Sequence, residues 1–435
     1  MVRPSEKIGL LDHLGGGNLG DDATLAAVMQ NIKIRWPDAQ IFGFTMNPGD
    51  TQTRHGIPSY PIRKETWTPG FAVQDSKLIL KEKLKAAAGK HGLLFKILKA
   101  IYGVVYRKPI NLVKELVFLA KSFRIIRTFD LLIIAGGGQL LDSWGGPWKF
   151  PYTLFKWTML ARLSRAKCYY INVGAGPLRH PLGKWFIKRA LLLADYVSFR
   201  DEQSKALVES TGYRATSQVC PDSVYALEIP ALATSRNGRR GESIVGISPM
   251  AYCDPRVYWE KNQSIYDGLI KELAAFGSWL VRNQQSLALF STDIWFDSQA
   301  IEDFKSALIH ETGLANSPRV RHEPVKGIDE MLLHMSSMDY IVTCRFHGVI
   351  FAHMLNKPVL ALSHHPKVTK LMGEMGLSKY CLDIHTCDFK VLTETFQALV
   401  SNRGEIKCRM AEKLACNRSE LTMQFDALFT REARN

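Results

Sequence analysis

The chain has 435 residues, more than one hydrophobic core usually organises, which points to two domains. Its composition, 46% apolar and 22% charged with no low-complexity tract or fixed-period repeat, excludes a disordered, fibrous or solenoid protein. A net charge of +15 admits nucleic acid, an anionic membrane surface or anionic small substrates, but the Lys and Arg are scattered over helical segments with no nucleic-acid-binding motif, so nucleic acid is set aside.

The first residues lead straight into a strand-like run, Ile8 to Leu11, with no apolar signal region, so a cytoplasmic protein is expected. No apolar stretch reaches the roughly 20 residues of a spanning helix. From there, short aliphatic runs alternate with Gly- or Asp-containing turns and helical stretches, the pattern of βα units around parallel sheets. Strands are predicted at Ile8–Leu11, Gln40–Phe44, Leu131–Ala135, Cys168–Val173, Tyr196–Phe199, Ser243–Ser248, Ser286–Phe290, Tyr340–Thr343 and Val359–Ser363. The segment from Lys77 to Arg127 interrupts the first half with Lys and Arg among apolar residues. It reads either as a basic amphipathic insertion resting on an anionic leaflet, peripheral at the inner face of the membrane, or as a helical hairpin with solvated charges. Between Leu227 and Glu242, Pro230, Ser235, Asn237, Gly238 and Gly241 break the pattern and read as a linker. The expected architecture is α/β: two Rossmann-like domains, 1–232 and 242–390, facing each other across a cleft, with C-terminal helices over 391–435. Eight cysteines without a C-x-x-C pair are expected to be reduced and interior, and no metal is expected.

Four constellations carry chemistry. Gly15, Gly17 and Gly20 satisfy a dinucleotide fingerprint, but Asp21 and Asp22 place two carboxylates where a pyrophosphate would sit. The loop is better suited to cap its own helix, Asp22 included, and to present Asn18 and Asp21 to substrate hydroxyls. A buried run from Asp130 ends in Gly136, Gly137 and Gly138, whose amides could bind hydroxyls or anions. At the end of another strand stands Arg200, beside Asp201. An ion pair or helix cap explains the pair as well as an anion-binding arginine does. Last, Arg345-Phe346-His347-Gly348 ends a strand before a helix expected to start near Val349. An extended backbone would put Arg345 and His347 on one face, where guanidinium could hold an anion and imidazole could exchange a proton. His364 and Lys367, after the next strand, could complete an anion pocket.

Taken together, Gly-Gly-x-Asn-x-Gly-Asp, the triple glycine, Ser198-Phe199-Arg200-Asp201, Cys220-Pro221-Asp222 and Arg345-Phe346-His347-Gly348 resemble the polysaccharide pyruvyl transferase family from about Gly15 to Asp383. Phe346 stands where many members carry leucine. The resemblance implies a GT-B-like fold and a transferase that moves a pyruvyl group from phosphoenolpyruvate, a co-substrate with no further cofactor, onto a sugar of a cell-surface polysaccharide or its lipid-linked precursor as a ketal. It places Arg345 and His347 in the active site, with Arg200 beside them. On this reading His347 is the acid/base, and Arg345, Arg200, Lys367 and His364 hold the donor. Asn18, Asp21, Gly137 and Gly138 then face the acceptor. Two other expectations fit the same architecture: a nucleotide-sugar glycosyltransferase and a catalytically silent glycan-binding protein.

Overall fold

The computed structural model describes residues 6–12, 15–65, 108–229, 243–313 and 318–430. The chain runs β1 (Lys7–Leu11), α1 (Leu19–Arg35), β2 (Gln40–Thr45), α2 (Pro48–His55), β3 (Ser59–Pro61), α3 (Lys108–Ile126), β4 (Leu131–Ala135), α4 (Phe150–Ser164), β5 (Lys167–Val173), α5 (Pro181–Leu193), β6 (Tyr196–Phe199), α6 (Glu202–Glu209) and β7 (Gln218–Val219). After a 3-10 turn at Ser223–Ala226 come β8 (Ile244–Ser248), α7 (Gln263–Arg282), β9 (Ser286–Leu289), α8 (Ser298–Thr312), β10 (Val320–His322), α9 (Ile328–Ser336) and β11 (Tyr340–Thr343). The last elements are α10 (Phe346–Met354), β12 (Val359–Ser363), α11 (Pro366–Glu374), β13 (Cys381–Asp383), α12 (Phe389–Ser401) and α13 (Arg403–Phe429).

Two parallel sheets result, ordered β3-β2-β1-β4-β5-β6-β7 and β10-β9-β8-β11-β12-β13. Strands β4, β8 and β12 are buried along their whole length, which is why they read as unbroken apolar runs: helices cover both faces of a parallel sheet. Each sheet has the Rossmann order, which reverses between β1 and β4 and between β8 and β11. Ligands of open α/β sheets bind at the carboxyl ends of the strands flanking such a reversal.

The chain divides into two compact units. The first holds the chain up to Gly16 together with Asp38–Val219, and the second holds Gly17–Pro37 and everything from Cys220. Helix α1, expected in the first domain, therefore belongs with the second sheet, and the first unit ends at Val219 rather than 232. Specific contacts hold α1 there. Asn31 donates to the Ala226 carbonyl (3.2 Å), Arg35 Nε donates to Asp426 of α13 (2.8 Å), and Trp36 meets Phe429 edge-on at 5.2 Å. Periodicity shows that a helix has an apolar face but not which sheet that face covers. The expected linker falls almost wholly on residues 230–242, outside the described residues. Of the expected insertion only α3 is described.

Among the described residues no helix is long and apolar enough to cross a membrane. The cysteines are unpaired, but they are not all interior: Cys408 and Cys416 are exposed on the outer side of α13. That helix docks through its other side, where Phe425 is fully buried. Truncating it by Phe425→Ala is expected to cost about 3–5 kcal/mol, read as a shift of the urea unfolding midpoint. A shift below about 1 kcal/mol would show that α13 is not part of the folded core.

Candidate functional site

At the reversal point of the second sheet, β11 stops at Thr343, whose hydroxyl accepts a hydrogen bond from the Arg345 amide (3.1 Å). Arg345 is the N-cap of α10, and the helix starts at Phe346, three residues earlier than expected. Arg345 and His347 therefore do not share an extended face; His347 sits in the first helical turn and points elsewhere. The Arg345 guanidinium turns to Asp297, the residue before α8. Nε donates to Oδ2 at 2.7 Å and Nη2 to Oδ1 at 2.5 Å, while Nη1 lies 3.4 Å from Asp293. Asp297 is fully buried and also accepts from the Ala251 amide (3.0 Å), after β8, and from the Ser291 hydroxyl (2.7 Å), after β9.

His347 packs on the N-terminus of α1. A Cβ on Gly20 would overlap its ring, so the close approach requires glycine there. The glycine loop is zipped to the segment after β9: Leu19 donates to the Thr292 carbonyl (2.8 Å), Ile294 donates to the Gly17 carbonyl (3.0 Å), and Asn18 bridges Asp293. The cap of α1 is Asn18 rather than Asp22, its Oδ1 accepting from the Gly20 amide at 3.0 Å. That oxygen is turned to the helix. Asp21 and Asp22 are both buried.

Burial pushes the Asp293 carboxyl up to about 7, with Asp297 and Asp21 adding like charge and Arg345 opposing. Burial works against the Arg345 charge, yet Asp297 and Asp293 outweigh it and hold the guanidinium above its ordinary pKa. Against one guanidinium the site thus sets a paired carboxylate and a second carboxyl whose pKa burial raises towards neutrality. Burial, with Lys367 and Arg345 adding positive charge, keeps His364 neutral, well below the usual imidazole value. Lys367 lies 5.5 Å from the Phe346 ring, and His365 caps α11 by accepting from the Lys367 amide (3.3 Å).

The second unit therefore gathers Asn18, Asp21, Arg345, His347, His364 and Lys367 in one neighbourhood. Arg200, Gly137 and Gly138 belong to the first unit. There Arg200 is nearly buried, 3.4 Å from Asp201, and passes so close to Gly174 that a Cβ would meet its guanidinium; Gly138 borders the same group. Asp201 accepts from the Ser204 amide at 2.7 Å as the cap of α6, so the expected ion pair and cap are both present. At this sheet's reversal point Gln139 donates to Asp12 (3.2 Å), both fully buried. Sequence reasoning missed Asp293 and Asp297. Their one signal was position, following β9 as the other ligand-edge residues follow their strands.

The fold is α/β with two Rossmann-like domains, shared with nucleotide-sugar enzymes. UDP-GlcNAc 2-epimerase of Neisseria meningitidis, solved with UDP-GlcNAc, aligns at 11% identity over 97% of this chain and 98% of its own, with a TM-score of 0.57. Anabaena HepE in complex with UDP aligns at 13% identity over 97% of both chains (TM-score 0.55), and a glycosyltransferase of Rickettsia africae at 10% over 98% of both (0.54). No match is found among curated protein sequences. The polysaccharide pyruvyl transferase family model matches residues 18–366, and the chain belongs to that family.

Two variants test this geometry. Gly20→Ala forces His347 off α1 and is expected to abolish activity while leaving the far-ultraviolet circular dichroism native; full activity would break the link between the two motifs. Asp293 has a folded pKa of about 7 against about 4 unfolded, so over that range the folded state binds more protons and stability falls as pH rises. Asp293→Asn removes this slope, and the variant's thermal midpoint is expected to gain on wild type between about pH 4 and pH 7. A constant difference across the range would refute the buried protonated acid.

Proposed function

We propose that this chain transfers the pyruvyl group of phosphoenolpyruvate to a glycan, or to its lipid-linked precursor, closing a cyclic ketal on two sugar hydroxyls. The observation that carries the reading is the joining of the two family motifs: His347 seated on Gly20, beside Arg345 and its buried acids. The family match runs from Asn18 to Pro366 and so begins and ends within this cluster.

The roles follow from charge. Arg345 has its forked edge on Asp297, so it is a positioning cation rather than the main anion clamp. Lys367 and the positive N-terminal ends of α10 and α11 are better suited to the donor's phosphate and carboxylate. His364, being neutral, suits a hydrogen bond rather than a charge pairing. Asp293 delivers its proton to the methylene carbon of the enol, leaving an oxocarbenium-like centre at the adjacent carbon. A sugar hydroxyl attacks that centre and His347 takes its proton. His347 returns this proton to the departing phosphate, the second hydroxyl closes the ring, and its proton restores Asp293. In the first unit, Gly137 and Gly138 offer amides to hydroxyls, and Arg200 suits an anionic group.

Phosphate release from phosphoenolpyruvate, measured with free and lipid-linked glycans, tests the reading. Acceptor-dependent release is expected, and His347→Ala should lower it roughly 10²–10⁴-fold. If no acceptor elicits release and a sugar nucleotide, but not phosphoenolpyruvate, protects the chain from heat, the activity is glycosyl transfer instead.

A further inference from the structure

The first unit exposes an unusual outer surface on α3, α4 and α5. Trp148 is 64% and Trp185 45% exposed, and Leu112 and Val113 of α3 are 61% and 59% exposed. The groups are continuous. Trp148 touches Tyr152 and Phe186 at 5.6 and 5.4 Å, and Trp185 touches Phe155 and Phe186 at 5.5 and 5.3 Å. Beneath the rings the buried Lys156 lies between Tyr152 (5.5 Å) and Phe118 of α3 (4.5 Å).

Their position follows from topology. Helices between parallel strands run back against them, so the N-terminal half of each helix lies at the carboxyl edge of the sheet. Leu112 and Val113 lie in the second turn of α3, Trp148 is two residues before α4, and Trp185 lies in the second turn of α5. The exposed rings and aliphatic groups therefore gather towards the carboxyl edge of the first sheet.

Charge identifies what this surface meets. Helices α3, α4 and α5 carry four, two and three Lys or Arg, and together they hold one acid, Glu115, which is paired with Lys156 at 3.0 Å. Indole rings favour the bilayer interface, Lys and Arg stems lie along apolar surface with their charges outward, and basic helices are drawn to anionic headgroups. We propose that this aromatic and basic face of the first unit rests on an anionic bilayer surface, which brings the carboxyl edge of its sheet to the membrane. The inference does not depend on which group the enzyme transfers.

Co-sedimentation of the full chain with vesicles, without any substrate, tests it. Binding is expected to vesicles containing phosphatidylglycerol, weakly or not at all to pure phosphatidylcholine, and to fall with added salt. Trp148→Ser with Trp185→Ser, and separately Lys114→Glu with Lys184→Glu, should each weaken it by roughly tenfold or more. Thermal midpoints near wild type would show that the variants are folded. Equal binding to both lipids, or undiminished binding by folded variants, overturns the proposal. So does a wild-type dimer that ignores vesicles and is split by the tryptophan changes, which would make the face a contact between two copies. Because no turnover is read, either result leaves the pyruvyl-transfer reading to its own test.

Discussion

The carboxylate of Asp297 ties together three loops that otherwise have no reason to keep a fixed relation. It takes an amide from the segment after β8, a hydroxyl from the segment after β9 and two donors from Arg345 after β11. A charge buried this completely is tolerable only when its oxygens are saturated, and removing one partner leaves an uncompensated charge in a medium that cannot solvate it. The loops therefore move together or not at all. Arg345, held by its forked edge, starts α10 at a fixed point, and the start of α10 sets where the His347 ring meets α1.

Nine central strands were legible to within a residue of their observed ends, because a strand covered on both faces is an uninterrupted apolar run. The strands that escaped were β3, β7, β10 and β13, all outer strands of two or three residues. Ser59–Pro61 and Val320–His322 are only half-buried and contain Ser, Pro, Arg and His, so no apolar run announces them. At the site, Arg345 and His347 were conspicuous as residues, but their geometry was not. The side chain that ends the strand, Thr343, bonds locally to the backbone, and such a bond leaves no periodic trace. Asp293 and Asp297 were invisible for a different reason: acids in a loop are ordinary until their burial is known.

The electrostatics of the second unit divide in two. On one side are Asp297, Asp293 and Asp21 around Arg345; on the other are Lys367 and neutral His364 at the start of α11. An anionic group would be repelled by the first set unless Asp293 held its proton, whereas Lys367 would attract it. The same division explains the pair of aspartates after the early glycine loop. A nucleotide pyrophosphate would face Asp21 and Asp22 there, whereas in this chain that helix start receives an imidazole.

The assignment of α1 to the second unit has a consequence for how the chain is made. The helix emerges from the ribosome directly after β1, but its partner Asp426 lies 391 residues beyond Arg35. At about 5–20 residues per second, roughly 20–80 s pass before that partner exists. During this interval the first sheet can assemble and α1 gains its other partners in turn, at Ala226, Thr292 and His347. The end of α1 that carries Arg35 and Trp36 thus stays uncovered longest, until Asp426 and Phe429 have been made.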